Sequence, residues 1–342
     1  MTADERGHAV EPRDWAVPSC DRGDVPGVGK AHGKVILLGE HAVLYGVPAL
    51  AVPVPQLTVT AKASHRGPLG VSPGGVSIGM SAPIEVPVEG PAQDGLRRVV
   101  STFLTACGIG TDSPVELFID CDIPSGRGLG SSAACARAVI LALADLLGRR
   151  LAVTEVFDWV QIAENVTHGR ASGVDTWATG AAGPLLFSAG VVEELSVGAD
   201  GVIVIADSGV TARTKDAVES LSRAFRSKAQ ARVGFTERVS ELVRSAVLDL
   251  ADGRLDDLGV RLTCCHEVLR DVGVSTDRID ALVGTALAAG GLGAKITGGG
   301  LGGCMIALAE GMPQAQTVAR ELRKAGAAGT WTVPMRRSAG HA

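Results

Sequence analysis

The chain has 342 residues, 46% of them hydrophobic but only 3% aromatic, with a formal net charge of −5. That length suits two domains with a substantial core of Val, Leu, Ala and Ile, and the mild acidity without a long basic run excludes a general nucleic-acid binder. Seven scattered cysteines with no Cys-x-x-Cys spacing exclude a disulfide framework or zinc site and point to a reducing cytoplasm.

Residues 1–29 mix Pro, Gly, Asp and Arg without periodicity and are expected to form a flexible tail. Met1 to Asp24 has no apolar stretch of the kind a secretory signal needs. Lys34 to Leu38 reads as a short buried strand. Ala49 to Val54 and Gln56 to Ala63 read as two more, the second alternating Leu57, Val59 and Ala61. Residues 64–95, rich in Gly, Pro and Ser, read as loop and hairpin. Gly95 to Ala106 has helical spacing at Leu96, Val99, Val100 and Phe103, and Val115 to Ile119 reads as a strand entering a glycine loop.

Ser132 to Leu147 is predicted helical, with Ala136, Val139, Ile140, Leu143, Leu146 and Leu147 on one face. Its apolar run is broken by Arg137 and Asp145, so no transmembrane span is expected. Thr154 to Thr167 is a further helix, capped at Thr154, whose capping box is incomplete because Phe157 stands three residues on. Val202 to Ala206 reads as a strand, Lys215 to Leu250 as largely helical, Ser275 to Ala289 as a helix and Gly303 to Leu308 as a strand. This second pattern, strand–helix–helix–helix–strand, places the domain boundary near residue 200.

Four segments carry chemistry. Pro124-Ser-Gly-Arg-Gly-Leu-Gly-Ser-Ser132 has glycines at 126, 128 and 130 and runs straight into a helix. A glycine turn before a helix N-terminus suits phosphate, but it also serves as a plain tight connection. It lacks the Gly-Lys-Ser/Thr of a Walker A loop and the spacing of a Rossmann fingerprint. Lys34 to Gly46 places Lys34, Glu40 and His41 beside an apolar strand, as a charged rim or as an ion pair with turn residues. Glu164 and Asp175 lie eleven residues apart, with Gly169 and Gly173 between them, and can converge on one metal–phosphate site. Thr297 to Gly303 is a third glycine loop, read as a support for the first.

Taken in order, Gly33-Lys34 to Gly39-Glu40-His41-Ala-Val, Gly126 to Ser132-Ala, and Thr297 to Gly303 resemble the three signature segments of the GHMP small-molecule kinases. The likeness runs from about residue 30 to 335. Glu40-His41-Ala-Val and His168-Gly-x-x-Ser-Gly-Val-Asp175 look most like the mevalonate-phosphorylating branch. Three details depart from the common pattern: Ser125 and Arg127 in the phosphate loop, Leu301 at a place commonly glycine, and Arg170-Ala171 for a frequent Asn-Pro.

The resemblance implies a two-domain α+β kinase, with an N-terminal domain (residues 30–200) similar to the second domain of ribosomal protein S5 and a ferredoxin-like C-terminal domain (201–342). It implies transfer of a phosphoryl group from ATP to (R)-mevalonate, with Mg²⁺, in a cytoplasmic enzyme without nucleic-acid or membrane partners; homodimer formation stays open. Pro124, Ser125, Gly126, Arg127, Gly128, Leu129, Gly130, Ser131 and Ser132 would cradle the ATP phosphates. Ser132 and Glu164 would hold the metal, and Asp175 and Lys34 would be catalytic. Glu40, His41 and Thr214, with Lys34 and Asp175, would meet the acceptor. Arg127 could reach a phosphate or point to solvent; Arg213 and Lys215 read as solvated residues at a helix start. A phosphorylated acceptor would call for more cations beside Lys34, and a non-catalytic sensor on the same fold would lack the aspartate, lysine or metal ligands.

Overall fold

The computed structural model describes residues 25–65, 77–81, 91–109, 115–169, 171–211, 214–227 and 229–336. Most of the expected tail therefore lies outside the described residues, but its end does not: strand β1 spans Gly27–Leu38. No hydrophobic run marks this early start, because Val28 and Lys30 face outward and the inward positions that alternate with them are Gly27 and Gly29. Those glycines are contact points. A Cβ on Gly29 would sit 2.0 Å from the Ala138 carbonyl oxygen, and one on Gly27 would sit 2.2 Å from that of Ala142. Helix α2 (Ser131–Leu146) thus lies directly on the backbone of β1.

The two strands expected at 49–54 and 56–63 are one, β2 (Ala49–His65), pairing antiparallel with β1. The register shift at His32/Gly33 absorbs the Pro53–Pro55 stretch that broke the sequence pattern. Within the loop-like region, β3 (Ser77–Ser81) is a strand that pairs parallel to β4 (Val115–Cys121), not half of a hairpin. Helix α1 (Pro91–Ala106) connects the two, making a βαβ unit. With β5 (Leu185–Ser188) and β6 (Val191–Glu194), these strands form a six-stranded sheet in the order β3-β4-β2-β5-β6, with β1 on β2.

Helix α3 (Val153–His168) packs on α1, with Phe103 and Trp159 edge to face at 5.1 Å. Its cap differs from expectation. Ala152 is the N-cap, and Glu155 accepts the Ala152 N–H at 2.7 Å, so Glu155 rather than Thr154 satisfies that amide. The short helix α4 (Val174–Ala178) is seated by a second apolar cluster of Ile36, Ala49, Ala51, Leu185 and Phe187, which holds Val174 and Ala178.

The second sheet contains β7 (Gly201–Asp207), β8 (Gly293–Thr297), β9 (Cys304–Ala309) and β10 (Gly329–Met335). All its pairings are antiparallel, in the order β10-β7-β9-β8. Counted within this half, that order is 4-1-3-2, the ferredoxin-like arrangement. Helices α7 (Leu255–Asp271), α8 (Asp277–Ala288) and α9 (Met312–Lys324) pack on it, preceded by α5 (Thr214–Ser227) and α6 (Ala229–Asp252). The strand–helix–helix–helix–strand pattern expected for this half is therefore incomplete: helices α7 and α9 and strands β8 and β10 were not read from the sequence. One continuous apolar core links the two halves, from Val35 and Leu37 to Ile296 and Ile306.

Gly29→Ala should place a methyl group inside the α2 backbone envelope and destabilise the protein by about 2 kcal/mol or more. Denaturant unfolding measures this, with Gly183→Ala, which has open space around its Cβ position, as the matched control.

Candidate active site

The site is organised around the glycine loop between β4 and α2. Gly126, Gly128 and Gly130 have φ of 67°, 76° and 79°, left-handed values that a side chain would strain. The alternation coils the loop so that Gly130 becomes the N-cap of α2, whose first-turn N–H groups then open toward the cleft. Leu129 is buried and Pro124 is covered, so they anchor the loop, while Ser125, Gly126, Gly128, Ser131 and Ser132 keep partial exposure.

Lys34 is bound to this loop twice. Its backbone N–H donates to the Leu129 carbonyl at 3.0 Å, and its ammonium donates to the Gly128 carbonyl at 2.9 Å. The same ammonium lies 3.0 Å from Asp175 Oδ1. Lys34 is 1% exposed, whereas the Asp175 side chain is 35% exposed, so the carboxylate faces the cleft and the lysine sits behind it. Asp175 stands in the first turn of α4, after Gly173 with φ 97°.

Glu164 projects from α3 into the same place. Burial first, and then the charge of Asp175, push its carboxyl up to about 7, against the pull of a Ser132 hydrogen bond and Lys34. Its Oε1 is buried without a hydrogen-bond partner among the described residues, and Oε2 lies 3.7 Å from His168 Nε2. Among the described residues no group of three or more His, Cys, Asp or Glu side chains forms a metal cage.

Glu40 and His41 make another wall. Both are buried, and His41 holds a left-handed φ of 60°. Glu40 Oε1 pairs with the ammonium of Lys295, and Oε2 has no hydrogen-bond partner among the described residues. Burial lifts the Glu40 carboxyl above its ordinary value, while Lys295 and, more weakly, Lys34 pull it down. Burial, with Lys295, lowers His41 to about 4, so the imidazole is neutral near pH 7. Its Nε2 is buried and unpartnered among the described residues.

The third glycine loop, at 298–303, braces the first. A Cβ on Gly128 would lie 3.1 Å from Gly298 Cα, and one on Gly298 would lie 2.7 Å from Gly128 Cα. Thr297 Oγ1 donates to the Ile36 carbonyl at 2.9 Å and accepts its N–H at 3.0 Å, tying β8 to β1. Leu301 adopts the left-handed φ of 58° that glycine would take there, at a cost of about 1–2 kcal/mol, and its N–H donates to the Val274 carbonyl at 2.8 Å.

Arg127 does not point to solvent. Its guanidinium donates to Asp207 at 2.9 Å and to the Thr211 hydroxyl at 2.7 Å, which spends the side chain on β7 and the segment after it. Thr214 opens α5, but its side chain and that of Lys215 lie outside the described residues, as does Arg213. Helix α5 does reach the site through Val218, Glu219 and Ser222, which line a cavity of about 360 Å³ together with Lys34, Glu40, His41, Glu164 and Asp175. Sequence reasoning missed Lys295. The available signal was a lone lysine in the buried strand Gly-Ala-Lys-Ile-Thr297, just before a glycine loop.

A glycine loop at a helix N-terminus, beside a lysine–aspartate pair and a cavity of about 360 Å³, suits a small-molecule kinase. The sequence matches the GHMP kinases N terminal domain over residues 95–183 and the GHMP kinases C terminal domain over residues 245–328. The chain belongs to the GHMP kinase family, which uses ATP as phosphoryl donor. It is 32% identical over 315 residues to the mevalonate kinase of Pyrococcus furiosus, covering 87% of this chain and 93% of that protein. It is 31% identical over 291 residues to that of Aeropyrum pernix, covering 81% and 87%. The L. major mevalonate kinase solved in complex with R-mevalonate superposes with a TM-score of 0.82 at 24% identity, over 94% of this chain and 99% of that one. The Staphylococcus aureus mevalonate kinase superposes with a TM-score of 0.68 at 29% identity, over 90% and 98%.

His41 gives a pH prediction. Its folded value lies below the unfolded 6.5, so the neutral ring stabilises the fold above that pH, and the contribution is lost as pH falls toward 4. The loss is on the order of 3 kcal/mol. Glu164, raised, titrates with the opposite sign, so the diagnostic quantity is the difference between wild type and His41→Gln. Denaturant unfolding from pH 7 to 4 should show the wild-type advantage shrinking as pH falls.

Proposed function

We propose that the protein transfers the γ-phosphoryl group of ATP to the primary hydroxyl of (R)-mevalonate, giving (R)-5-phosphomevalonate for isoprenoid biosynthesis. One observation carries the reading: the Lys34 ammonium touches both the Gly128 carbonyl of the phosphate loop and the Asp175 carboxylate at the cavity. A single cation thereby stands where a γ-phosphate from the loop side and a hydroxyl from the cavity side would meet. The named relatives supply the acceptor's identity.

Phosphoryl transfer needs in-line positioning and neutralisation of developing charge more than covalent help. The loop from Pro124 to Ser132 would hold the phosphates through backbone N–H groups and the N-terminus of α2. Asp175 would orient the acceptor hydroxyl and take its proton at a carboxylate oxygen. Lys34 would remain paired with Asp175 while neutralising the γ-phosphate. Glu40 and His41 would line the acceptor pocket, with Thr214 added from α5, one turn before the cavity residue Val218.

The site also suits Mg²⁺. Glu164 Oε1 is a buried, unpartnered oxygen on a carboxyl that burial keeps partly protonated near neutral pH, a place a divalent cation would fill in exchange for the proton. The Ser132 hydroxyl, which pulls the Glu164 carboxyl down, would be the second protein oxygen, and two such oxygens with water complete the usual shell of this ion. When bound, the ion would supply charge neutralisation at the phosphate oxygens.

We further read residues 30–200 and 201–342 as the two domains, the first extended back to Gly27 by β1, and a reducing cytoplasm as the compartment. The six described cysteines are free, including Cys121 and Cys135, whose sulfurs lie 3.8 Å apart. No helix among the described residues is long and apolar enough to cross a membrane.

An ADP-release assay with Mg²⁺·ATP and, in parallel, mevalonate, phosphomevalonate, homoserine and galactose tests the reading, with product mass confirmed. Turnover on mevalonate alone is expected; turnover on another acceptor only would reassign Glu40, His41 and Thr214. Asp175→Asn should lower kcat roughly 10²- to 10⁴-fold while ATP still binds, and a near-normal kcat would remove its role as base. Ser132→Ala should raise the Mg²⁺ and ATP requirement more than the mevalonate KM, as seen by titrating each in turn.

A further inference from the structure

Lys295 is 0% exposed, yet it is a lysine in a strand whose other residues are all core. Transfer of an ammonium into such surroundings costs several kcal/mol, and a buried ion pair seldom repays that cost better than an apolar pair would. The placement of the pair is the clue. Glu40 lines the cavity, Lys295 lies behind it, and Glu40 Oε2 and His41 Nε2 are both buried and unpartnered among the described residues.

We propose that Lys295 is a positioning residue for the acceptor: it pins Glu40 Oε1 from behind the cavity wall, so that Oε2 is presented to an acceptor hydroxyl. Its ammonium also contacts the Ile296 carbonyl, which fixes it to β8 at the entrance to the third glycine loop. That loop backs His41, since a Cβ on Gly300 would lie 3.3 Å from His41 Nε2. The acceptor wall is therefore built by the second half of the chain acting on residues of the first. The inference rests on the reading of this cavity as the acceptor pocket.

The groups around the pair leave Glu40 as the natural partner of Lys295. Cys265 of α7 is pushed up to about 12 by burial and remains a neutral thiol. His266, also on α7, is held down by burial and bonded at 3.1 Å to Asp280 of α8, which occupies that carboxylate. His41 is neutral near pH 7, and Lys34 acts on Glu40 only from β1. Without Lys295, the burial that already lifts Glu40 would act with little opposition, and its carboxyl would protonate at higher pH.

The test is steady-state kinetics on the full chain with Lys295→Met, Lys295→Arg, Glu40→Gln and the Glu40→Gln/Lys295→Met double variant. Lys295→Met should raise the acceptor KM about tenfold or more, the loss of one hydrogen bond to a charged group, and leave the ATP KM unchanged. The rising limb of acceptor kcat/KM should move to higher pH, and Lys295→Arg should restore part of the loss. The double variant, which leaves no buried unpaired charge, should be no worse than Glu40→Gln alone. An unchanged acceptor KM and pH limb in Lys295→Met would overturn the proposal. If that variant fails to fold, a double variant clearly worse than Glu40→Gln alone, or an arginine variant impaired equally toward ATP and acceptor, would do the same. Wild-type turnover on an acceptor other than mevalonate would overturn the substrate reading and move the Lys295 comparison to that acceptor; no turnover on any would overturn both.

Discussion

The structure depends on one buried ammonium. Lys34 sits almost wholly out of water, and such a charge persists only where its donors are used and a counter-ion is close. Asp175 and the Gly128 carbonyl meet that requirement at 3.0 and 2.9 Å. The requirement fixes much else. Strand β1 must abut the glycine loop at 126–130, α4 must present its first turn to β1, and the loop must turn a carbonyl inward, which the left-handed glycines allow. The apolar cluster of Ile36, Val174, Ala178 and Phe187 then holds α4 against β1 and β2, so the ion pair is set by packing as well as charge.

A second constraint is close backbone contact. Glycines at 27 and 29 let α2 lie on β1, which places the N-terminus of that helix at the loop. Gly128 and Gly298 touch across the cleft, and Arg127 reaches Asp207. The glycine loop between β4 and α2 in the first half is therefore backed by the second half. The opposite wall follows the same logic, with Glu40 from the first half held by Lys295 from the second.

The sequence made the loops legible because glycines at alternate positions before an alanine-rich helix have a direct conformational meaning. Helices α1 and α2 and strands β4, β7 and β9 followed from apolar periodicity. What stayed hidden depended on partners distant in the chain. The start of β1 carries glycines rather than an apolar run, since its neighbour is a helix backbone. The N-cap of α3 is an alanine whose amide is satisfied by Glu155. Arg127 looked free because Asp207 is far away in sequence. Lys295 fell in no element that the sequence pattern marked, and only its burial and its pairing with Glu40 single it out. Strand β2 looked like two, because Pro53 and Pro55 interrupt the pattern but not the pairing that resumes on either side of a bulge.

The contact of Gly128 with Gly298 bears on how such a protein can be taken apart. Each half has its own sheet, so each resembles a portable module. Yet the first half alone would carry a glycine loop with nothing behind it and a Glu40 without Lys295, and the second would carry a brace with nothing to support. Recombination between relatives at residue 200 would join two surfaces shaped for different partners. In structural terms the site is the seam between the halves, where Gly128 meets Gly298 and Glu40 meets Lys295.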